Sequence, residues 1–215
     1  MPVPNPTPIF RLIHKDNLHI YLRRGGIHAP NNTPDDGLVY KTIHDVEIQS
    51  KRSELQIPCG TRGCAHDYVP FYFGYFSPMM FNLKTGWVPG YDKGQEPLIY
   101  LVSIAQEIQQ SGKPFVFSDG HGIARFTQWF DDLLNLDKID WDVVYLRYWK
   151  DDVNDMDRQR RKQAEFLVHQ FCDWSLIKEI AVINGVVKSE IENTMRQYPP
   201  ECWRPIQIKR DWYYY

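Results

Sequence analysis

Glu165 is a candidate for chemistry at a sugar carbon. It opens the apolar run 166–168 and follows a basic run. The basic run contains Arg158, Arg160, Arg161 and Lys162. A carboxylate at the start of a buried strand, held at a cleft edge, can hydrogen-bond a sugar hydroxyl and stabilise a developing oxocarbenium ion. The alternative is an exposed glutamate that neutralises the basic run, and spacing alone favours that alternative.

The stretch from Tyr72 to Met80 is a candidate surface for stacking an unpaired base. It is rich in aromatic residues, and Gly74 and Pro78 would break a strand there and expose some of the rings. Bases stack on aromatic faces with little regard to sequence, for about 1–3 kcal/mol each. Packing of the same rings in the core is the competing interpretation, and the pattern alone favours it.

The cysteines give only an incomplete metal-ligand pattern. Cys59, Cys64 and His66 could supply three ligands, but no fourth ligand stands near them, and Cys172 and Cys202 are isolated. A structural zinc site needs four ligands. Reduced thiols in a cytosolic fold are therefore the preferred interpretation.

Other motifs with a known mechanism are absent or weak. The chain contains neither GxGxxG nor GxxxxGK[ST], and neither GxSxG nor HExxH. Asp119, His121 and the pair Asp131-Asp132 could be imagined as metal ligands of a nuclease. A turn and a solvated helix face explain these residues better.

Composition limits the classes of protein that need to be considered. The chain has 215 residues, of which 43% are hydrophobic, 24% charged and 14% aromatic, with a formal net charge of −2. Disordered, collagen-like and low-complexity classes are excluded, and nucleic-acid binding would need a local patch. No run approaches the roughly 18 apolar residues of a spanning helix. The first residues lack the features of a signal peptide, so we expect a cytoplasmic protein with no membrane partner.

The elements predicted from the pattern favour an α+β fold, because strands outnumber helices and do not alternate with them. Strands are predicted at 9–14, 68–73, 98–102, 115–117, 164–169, 177–182 and 206–208. Helices are predicted from an N-cap at Asp16 or Asn17 to Gly25, at 105–110, within 120–134, and at 189–196 with Ser189 as N-cap. Residues 1–8 read as an extended arm. The polar segment 30–63 has weak periodicity, which is typical of functional or disordered stretches.

Five segments, met in one order from about residue 9 to the C-terminus, together resemble the DarT family. They are Arg11–Asn17, Lys51-Arg52, His66–Phe73, Phe76–Met79 and Gln163–Glu165. DarT is the DNA ADP-ribosyltransferase toxin of the DarT–DarG toxin–antitoxin system. The resemblance implies an ADP-ribosyltransferase-like fold, with a central, mostly antiparallel split sheet and short helices, over a single domain at 9–215. It also implies transfer of ADP-ribose from NAD to a base, most often thymine, in single-stranded DNA, with release of nicotinamide.

The resemblance also implies roles for individual residues. Glu165 matches the catalytic glutamate, and Arg52 matches an arginine that contacts the cofactor and assists the acceptor base. The polar stretch 36–54 corresponds to the NAD-binding element. The residues implied in cofactor binding are His14, Lys15, Asp16, Gly26 and Arg52. The residues implied in DNA binding are Tyr72, Tyr75, Met79, His121 and Arg158, with the basic run tracking phosphates.

The implied partners are NAD as co-substrate, single-stranded DNA and a macrodomain antitoxin of the DarG type, without a metal. Two alternatives stay open. One is an enzyme of the same fold with another acceptor, such as a guanine base, RNA or protein. Gln163 stands where arginine-directed enzymes have a second glutamate, which argues against arginine as acceptor. The other is a non-catalytic module that binds single strands, in which Glu165 would be dispensable.

Overall fold

An eight-stranded sheet forms the centre of the protein in a computed structural model that describes residues 1–215. The strands are β1 (Pro8–His14), β2 (Gly26–His28), β3 (Tyr68–Tyr72), β4 (Leu98–Ile104), β5 (Phe115–Ser118), β6 (Trp129–Phe130), β7 (Glu165–His169), β8 (Phe171–Asp173), β9 (Glu179–Val182) and β10 (Ile206–Ile208). Their order in the sheet is β10-β9-β4-β1-β3-β7-β5-β6, and β2 pairs with β8 in a separate ribbon. All neighbours in the large sheet are antiparallel except β9 and β10.

Short helices surround this sheet. They are α1 (Leu18–Arg24), α2 (Val46–Glu54), α3 (Pro78–Thr85), α4 (Ala105–Gln110), α5 (Trp141–Tyr145), α6 (Arg158–Arg161) and α7 (Gly185–Met195). Single 3-10 turns and the longer 3-10 segment Leu133–Lys138 connect them. α7 is the longest with 11 residues, and no helix is both long and apolar enough to cross a bilayer. The expected α+β class is confirmed.

The predicted strands are confirmed to within a few residues, and most of them are apolar runs that the fold buries; β10 is the exception, since Ile208 is 51% exposed. In β4 the fully buried side chains include Leu98, Ile99, Tyr100 and Leu101. Helix α1 ends as predicted, since Gly25 takes the left-handed conformation with φ 69° that favours glycine.

The sheet is split between β1 and β3, as the family resemblance implies. These strands share one registered pair, Phe10 with Tyr72. Pro70 lies in β3 and lacks an N–H, so it cannot donate to the ladder at that position. Its carbonyl instead accepts a hydrogen bond of 2.8 Å from Nη1 of the Arg11 side chain. Two half-sheets therefore meet at a seam that backbone hydrogen bonds barely close.

One helix prediction is wrong, and a second helix is confirmed but starts earlier than predicted. Residues 120–134 form a loop, the two-residue strand β6 and the start of a 3-10 segment, because Phe130 pairs with Phe117 of β5 instead of facing a helical neighbour. Helix α7 begins at Gly185, four residues before the predicted N-cap Ser189. Its cap is Asn184, whose Oδ1 accepts a hydrogen bond of 2.9 Å from the Val187 N–H.

The N-terminal arm is anchored to α4. The Thr7 N–H donates to Oε1 of Gln106 at 2.9 Å, and Gln106 Nε2 donates to Oγ1 of Thr7 at the same distance. The two residues thus hold each other through both a backbone and a side-chain hydrogen bond. The arm therefore ends in a fixed position where it enters β1.

Candidate active site

A buried ion pair joins Glu165 and Arg52. Glu165 is the first residue of β7 and is 2% exposed, and Arg52 lies in the last turn of α2 and is 7% exposed. Arg52 Nη1 donates to both carboxylate oxygens of Glu165, at 3.0 Å and 2.7 Å. The glutamate is therefore neither exposed nor paired with the basic run that precedes it, which overturns the interpretation favoured by spacing alone.

A turn after β5 supplies a third contact to the carboxylate. The Gly122 N–H donates to Oε1 of Glu165 at 3.2 Å. The Glu165 N–H donates to Oγ of Ser118 at 3.3 Å, and that hydroxyl donates to the Gly120 carbonyl at 2.7 Å. Both ends of Glu165 are thus held by the turn 118–122. The sequence analysis missed Gly122 and Ser118; the signal available was the pair of glycines around His121, which favours a tight turn.

The negative charge of Glu165 favours the charged form of Arg52. Burial by itself lowers the pKa of the Arg52 guanidinium, but the negative charge of Glu165 and its hydrogen bonds outweigh burial and raise that pKa. Arg52 Nη2 is buried and has no hydrogen-bond partner. A buried N–H donor without an acceptor is costly unless a ligand supplies one. Nη2 is therefore a free donor beside the carboxylate.

The polar segment that carries Arg52 is attached to helix α1 and the turn before it. Asn17, a predicted helix cap, makes no capping bond; its side chain bonds the backbone of Lys41 in both directions, at 2.9 Å and 2.7 Å. Arg24 donates to Asp36, with Nε 2.9 Å from Oδ2. Asp45 caps α2 by accepting from two backbone N–H groups, the nearer at 2.8 Å.

His14 lies at the end of β1 and is 6% exposed. Burial lowers its pKa, so the ring is neutral at pH 7. Its Nδ1 accepts a hydrogen bond of 3.2 Å from the Asp16 N–H, which leaves the proton on Nε2. Lys15 pairs with Glu190, and Asp16 pairs with Lys41. A cavity of about 430 Å³ beside Lys15 and Asp16 lies between this turn and α7.

Gly26 has a packing role that its sequence position did not reveal. A Cβ at this position would lie 2.4 Å from the carbonyl oxygen of Cys172 and 2.5 Å from the Phe171 ring. Glycine therefore permits the close approach of β2 and β8. Its contact with a cofactor stays a prediction.

Of the residues predicted to bind DNA, Tyr72 and His121 lie near Glu165, whereas Tyr75 and Met79 lie just before α3 and within it. Tyr72 is the partner of Glu165 across β3 and β7, so the two side chains share one face of the sheet. His121 belongs to the same turn as Gly122; burial lowers its pKa, and the nearby Glu165 opposes that effect. Tyr75 stacks on Trp212 with ring centroids 4.7 Å apart. Met79 lies in α3.

The basic run is not a free cationic surface, contrary to expectation. Arg158 pairs with Asp152 at 2.8 Å and Asp155 at 3.1 Å, and Arg160 pairs with Asp119 and Asp157, each at 2.7 Å. The remaining arginine, Arg161, pairs with Asp140, Asp155 and Asp157. Contact between Arg158 and DNA stays a prediction, but its charge is already matched by aspartates that the sequence analysis did not connect with it.

Lys162 is also removed from the expected surface. Its side chain is 3% exposed and donates to the Val144 carbonyl. Burial lowers the pKa of its amine to about 7. Lys162 therefore ties α5 to the residues before β7 and does not face a polyanion.

Replacing Gly120 by alanine is expected to lower kcat at least tenfold. A Cβ at Gly120 would lie 2.5 Å from Arg160 Nη1 and 2.8 Å from the Arg160 carbonyl, so the turn must move and carry the Gly122 N–H away from Glu165. Displacements of about 1 Å at a site cost up to 10²-fold in rate. Gly185→Ala is the matched control, since a Cβ there meets open space. Unchanged kcat with Gly120→Ala, measured beside this control, would show that the turn does not position the carboxylate.

The metal-ligand pattern of the sequence does not form a site. No group of three or more His, Cys, Asp or Glu side chains comes together in the chain, and all four cysteines are free thiols. Cys64 Sγ instead accepts a hydrogen bond of 3.3 Å from Asn31 Nδ2.

Comparison with known proteins gives matches over nearly the whole chain. Residues 10–214 match the family described as ssDNA thymidine ADP-ribosyltransferase, DarT. A DNA ADP-ribosyl transferase of Thermus sp. (strain 2.9) is 40% identical over 212 residues, which are 98% of each protein. The structure of Thermus sp. 2.9 DarT in complex with ADP-ribosylated ssDNA aligns with a TM-score of 0.91 at 40% identity, covering 98% of both chains. The complex of that DarT with NAD+ aligns with a TM-score of 0.88 at 37% identity, covering 98% of this chain and 99% of the other.

Proposed function

Because the chain belongs to the DarT family of ssDNA thymidine ADP-ribosyltransferases, we propose that Glu165 and Arg52 carry the transfer of ADP-ribose from NAD to thymidine. The chain is an NAD-dependent enzyme that acts on single-stranded DNA. The observation that supports this assignment of residues is the buried pair itself. It joins a carboxylate held from two sides to a guanidinium with one donor left free.

NAD supplies the ADP-ribosyl group: the bond from the ribose C1 to nicotinamide breaks as a bond from C1 to the thymine ring nitrogen forms. The electron pair of the broken bond leaves with nicotinamide, and the proton of the ring nitrogen passes to solvent water. Glu165 stabilises the positive charge that develops on the ribose and orients a ribose hydroxyl. Arg52 and the Gly122 N–H hold this carboxylate in position.

In the proposed reaction, Arg52 also binds the phosphates of NAD through Nη2. A guanidinium binds phosphate oxygens by forked, charge-assisted hydrogen bonds, and Nη2 is the arm that Glu165 does not occupy. The same positive charge favours the deprotonated form of the acceptor base, which is the better nucleophile. One side chain thus serves the carboxylate, the cofactor and the acceptor.

The remaining residues are assigned either to NAD or to DNA. We assign NAD binding to His14, Lys15, Asp16 and Gly26, and DNA binding to Tyr72, Tyr75, Met79, His121 and Arg158. The catalytic domain covers residues 9–215. We place the enzyme in the cytoplasm as a toxin whose DNA mark is removed by a macrodomain antitoxin.

Intact mass measurement on oligonucleotides tests this function. Incubation with NAD should add one ADP-ribose to a thymine-containing single strand, and none to the duplex or to a thymine-free strand, because only an unpaired base can be reached without base flipping. Labelled NAD offered to total RNA and protein in parallel provides the comparison. Label on RNA or protein with none on DNA would overturn the assignment of the acceptor.

A further inference from the structure

Two exposed arginines flank an exposed ring at the C-terminal end of the chain. The guanidinium of Arg147 lies 4.6 Å from the centroid of the Tyr215 ring, and that of Arg210 lies 5.6 Å from it. Tyr215 is 66% exposed, and its hydroxyl donates to the Arg210 carbonyl at 2.7 Å. We define the C-terminal patch as Arg147, Arg210 and Tyr215.

The charges of the C-terminal patch are free, unlike those of the basic run before β7. Neither Arg147 nor Arg210 makes an ion pair, and the neighbouring Asp211 pairs with no cation. Each arginine of the run 158–161 is matched by at least two aspartates. A polyanion would therefore be attracted more strongly to the unpaired cations of the C-terminal patch than to the paired cations of the basic run.

The C-terminal patch lies on the same face of the sheet as Glu165. Glu165 is paired with Tyr72, and Tyr72 with Phe10, so these side chains share that face. The Phe10 ring contacts both Tyr75 and Trp212, with centroids 5.6 Å and 5.2 Å away. The C-terminal residues that begin at Trp212 therefore cover this face.

Ring contacts continue from the site to the C-terminal patch. Tyr75 meets Phe76 with centroids 4.9 Å apart, and the Arg147 guanidinium lies 5.4 Å from the Phe76 ring. Arg147 is in turn the cation over Tyr215. These contacts connect Tyr75 with the C-terminal patch through the buried Phe76 ring, so a strand that leaves Glu165 and Tyr72 in this direction would reach free cations.

We propose that the C-terminal patch binds the acceptor strand outside the target nucleotide, with Arg147 and Arg210 at phosphates and Tyr215 stacking on an unpaired base. This rests on the proposed function. Cations along a backbone combined with an exposed ring are the features by which proteins hold single strands irrespective of sequence. Such a local track also explains how a chain with a net charge of −2 can hold a polyanion.

The test compares the double variant Arg147→Ala/Arg210→Ala with wild type on a long single strand and on a short oligonucleotide around one thymidine. On the long strand KM should rise about tenfold, and the slope of log KM against log salt should fall by about 1.4, for two phosphates at about 0.7 each. The penalty should shrink as the oligonucleotide is shortened. Tyr215→Ala should raise KM on the long strand with no change in salt slope. Arg196→Ala, an exposed arginine at the end of α7, is the matched control.

A KM and salt slope equal to those of wild type on the long strand would overturn the proposal. An equal loss on short and long substrates would also overturn it, because the residues would then act on the site or on folding. Wild-type activity on the short oligonucleotide distinguishes failure of the proposed function from failure of the C-terminal patch to bind DNA. If wild type modifies that oligonucleotide while the double variant behaves as wild type, the proposed function stands and the C-terminal patch falls.

Discussion

Replacing Glu165 by glutamine is expected to lower kcat for ADP-ribose transfer by about 10³-fold, as loss of a preorganised electrostatic partner does in other enzymes. Glutamine keeps the size of the side chain, and its Oε1 can still accept from Arg52 Nη1 and from the Gly122 N–H. What disappears is the negative charge that offsets the positive charge developing on the ribose. The measurement is single-turnover kinetics at saturating NAD and oligonucleotide, read by intact mass.

Glu179→Gln is the control for this prediction. Glu179 is also the first residue of a strand, β9, and makes no ion pair, so its replacement repeats the chemical change outside the site. NAD binding by the Glu165→Gln protein should be retained, since the change acts on the transition state more than on the ground state. A Glu165→Gln enzyme within tenfold of wild type would remove this residue from the reaction.

Replacing Arg52 has the second largest expected effect, and it acts on stability as well as on rate. Arg52→Ala leaves the Glu165 carboxylate buried without its partner, which costs about 3–5 kcal/mol of unfolding free energy. Arg52→Lys restores a positive charge but not the second donor arm that Nη2 provides. We expect the lysine variant to recover most of the stability while kcat/KM stays reduced by about 10²-fold or more, because a bidentate contact is not replaced by a point charge.

Urea unfolding and kcat/KM, measured on the same preparations, separate these two effects. Lys51→Ala changes the exposed neighbour of Arg52 on the same helix and is the control for both measurements. Wild-type kcat/KM in Arg52→Lys would mean that one ammonium suffices and that the free Nη2 has no part in the reaction. An Arg52→Ala protein as stable as wild type would mean that the ion pair does not hold α2 in place.

Seven of the ten strands could be predicted from sequence, most of them because their side chains are apolar and buried, but the short strands β2, β6 and β8 and the helix α2 could not. A surface helix is normally detected by an apolar stripe. The buried residue of α2 is Arg52, an arginine, and the segment around it is polar. Its position is fixed by an ion pair to a residue 113 positions away, and no local pattern carries that information.

The helix predicted within 120–134 is wrong because a helix-like pattern is present there, but the chain is extended. Aromatic residues at 126, 129, 130 and the apolar Leu133 resemble a helical face, but Phe126 is 80% exposed. Trp129 and Phe130 are extended because the edge of β5 offers them backbone partners. Tertiary pairing therefore overrides the local period in this loop.

The candidate site was predictable only in part. The apolar run 166–168 placed Glu165 at the start of a buried strand, and the strand is confirmed. Pairing of that glutamate with Arg52 could not be read from spacing, and Arg52 was selected by family resemblance alone. The Gly122 N–H is a backbone group, so no side-chain pattern announces it.

The seam between β1 and β3 divides the large sheet into two halves, called plates: β10-β9-β4-β1 and β3-β7-β5-β6. β1 is bonded to β4 along seven registered pairs and β3 to β7 along five, whereas one pair crosses the seam. A sliding displacement of one plate against the other leaves both ladders intact. His14 belongs to one plate and Glu165 to the other, so such sliding changes the distance between them. Resistance to such sliding therefore comes mainly from side-chain contacts across the seam.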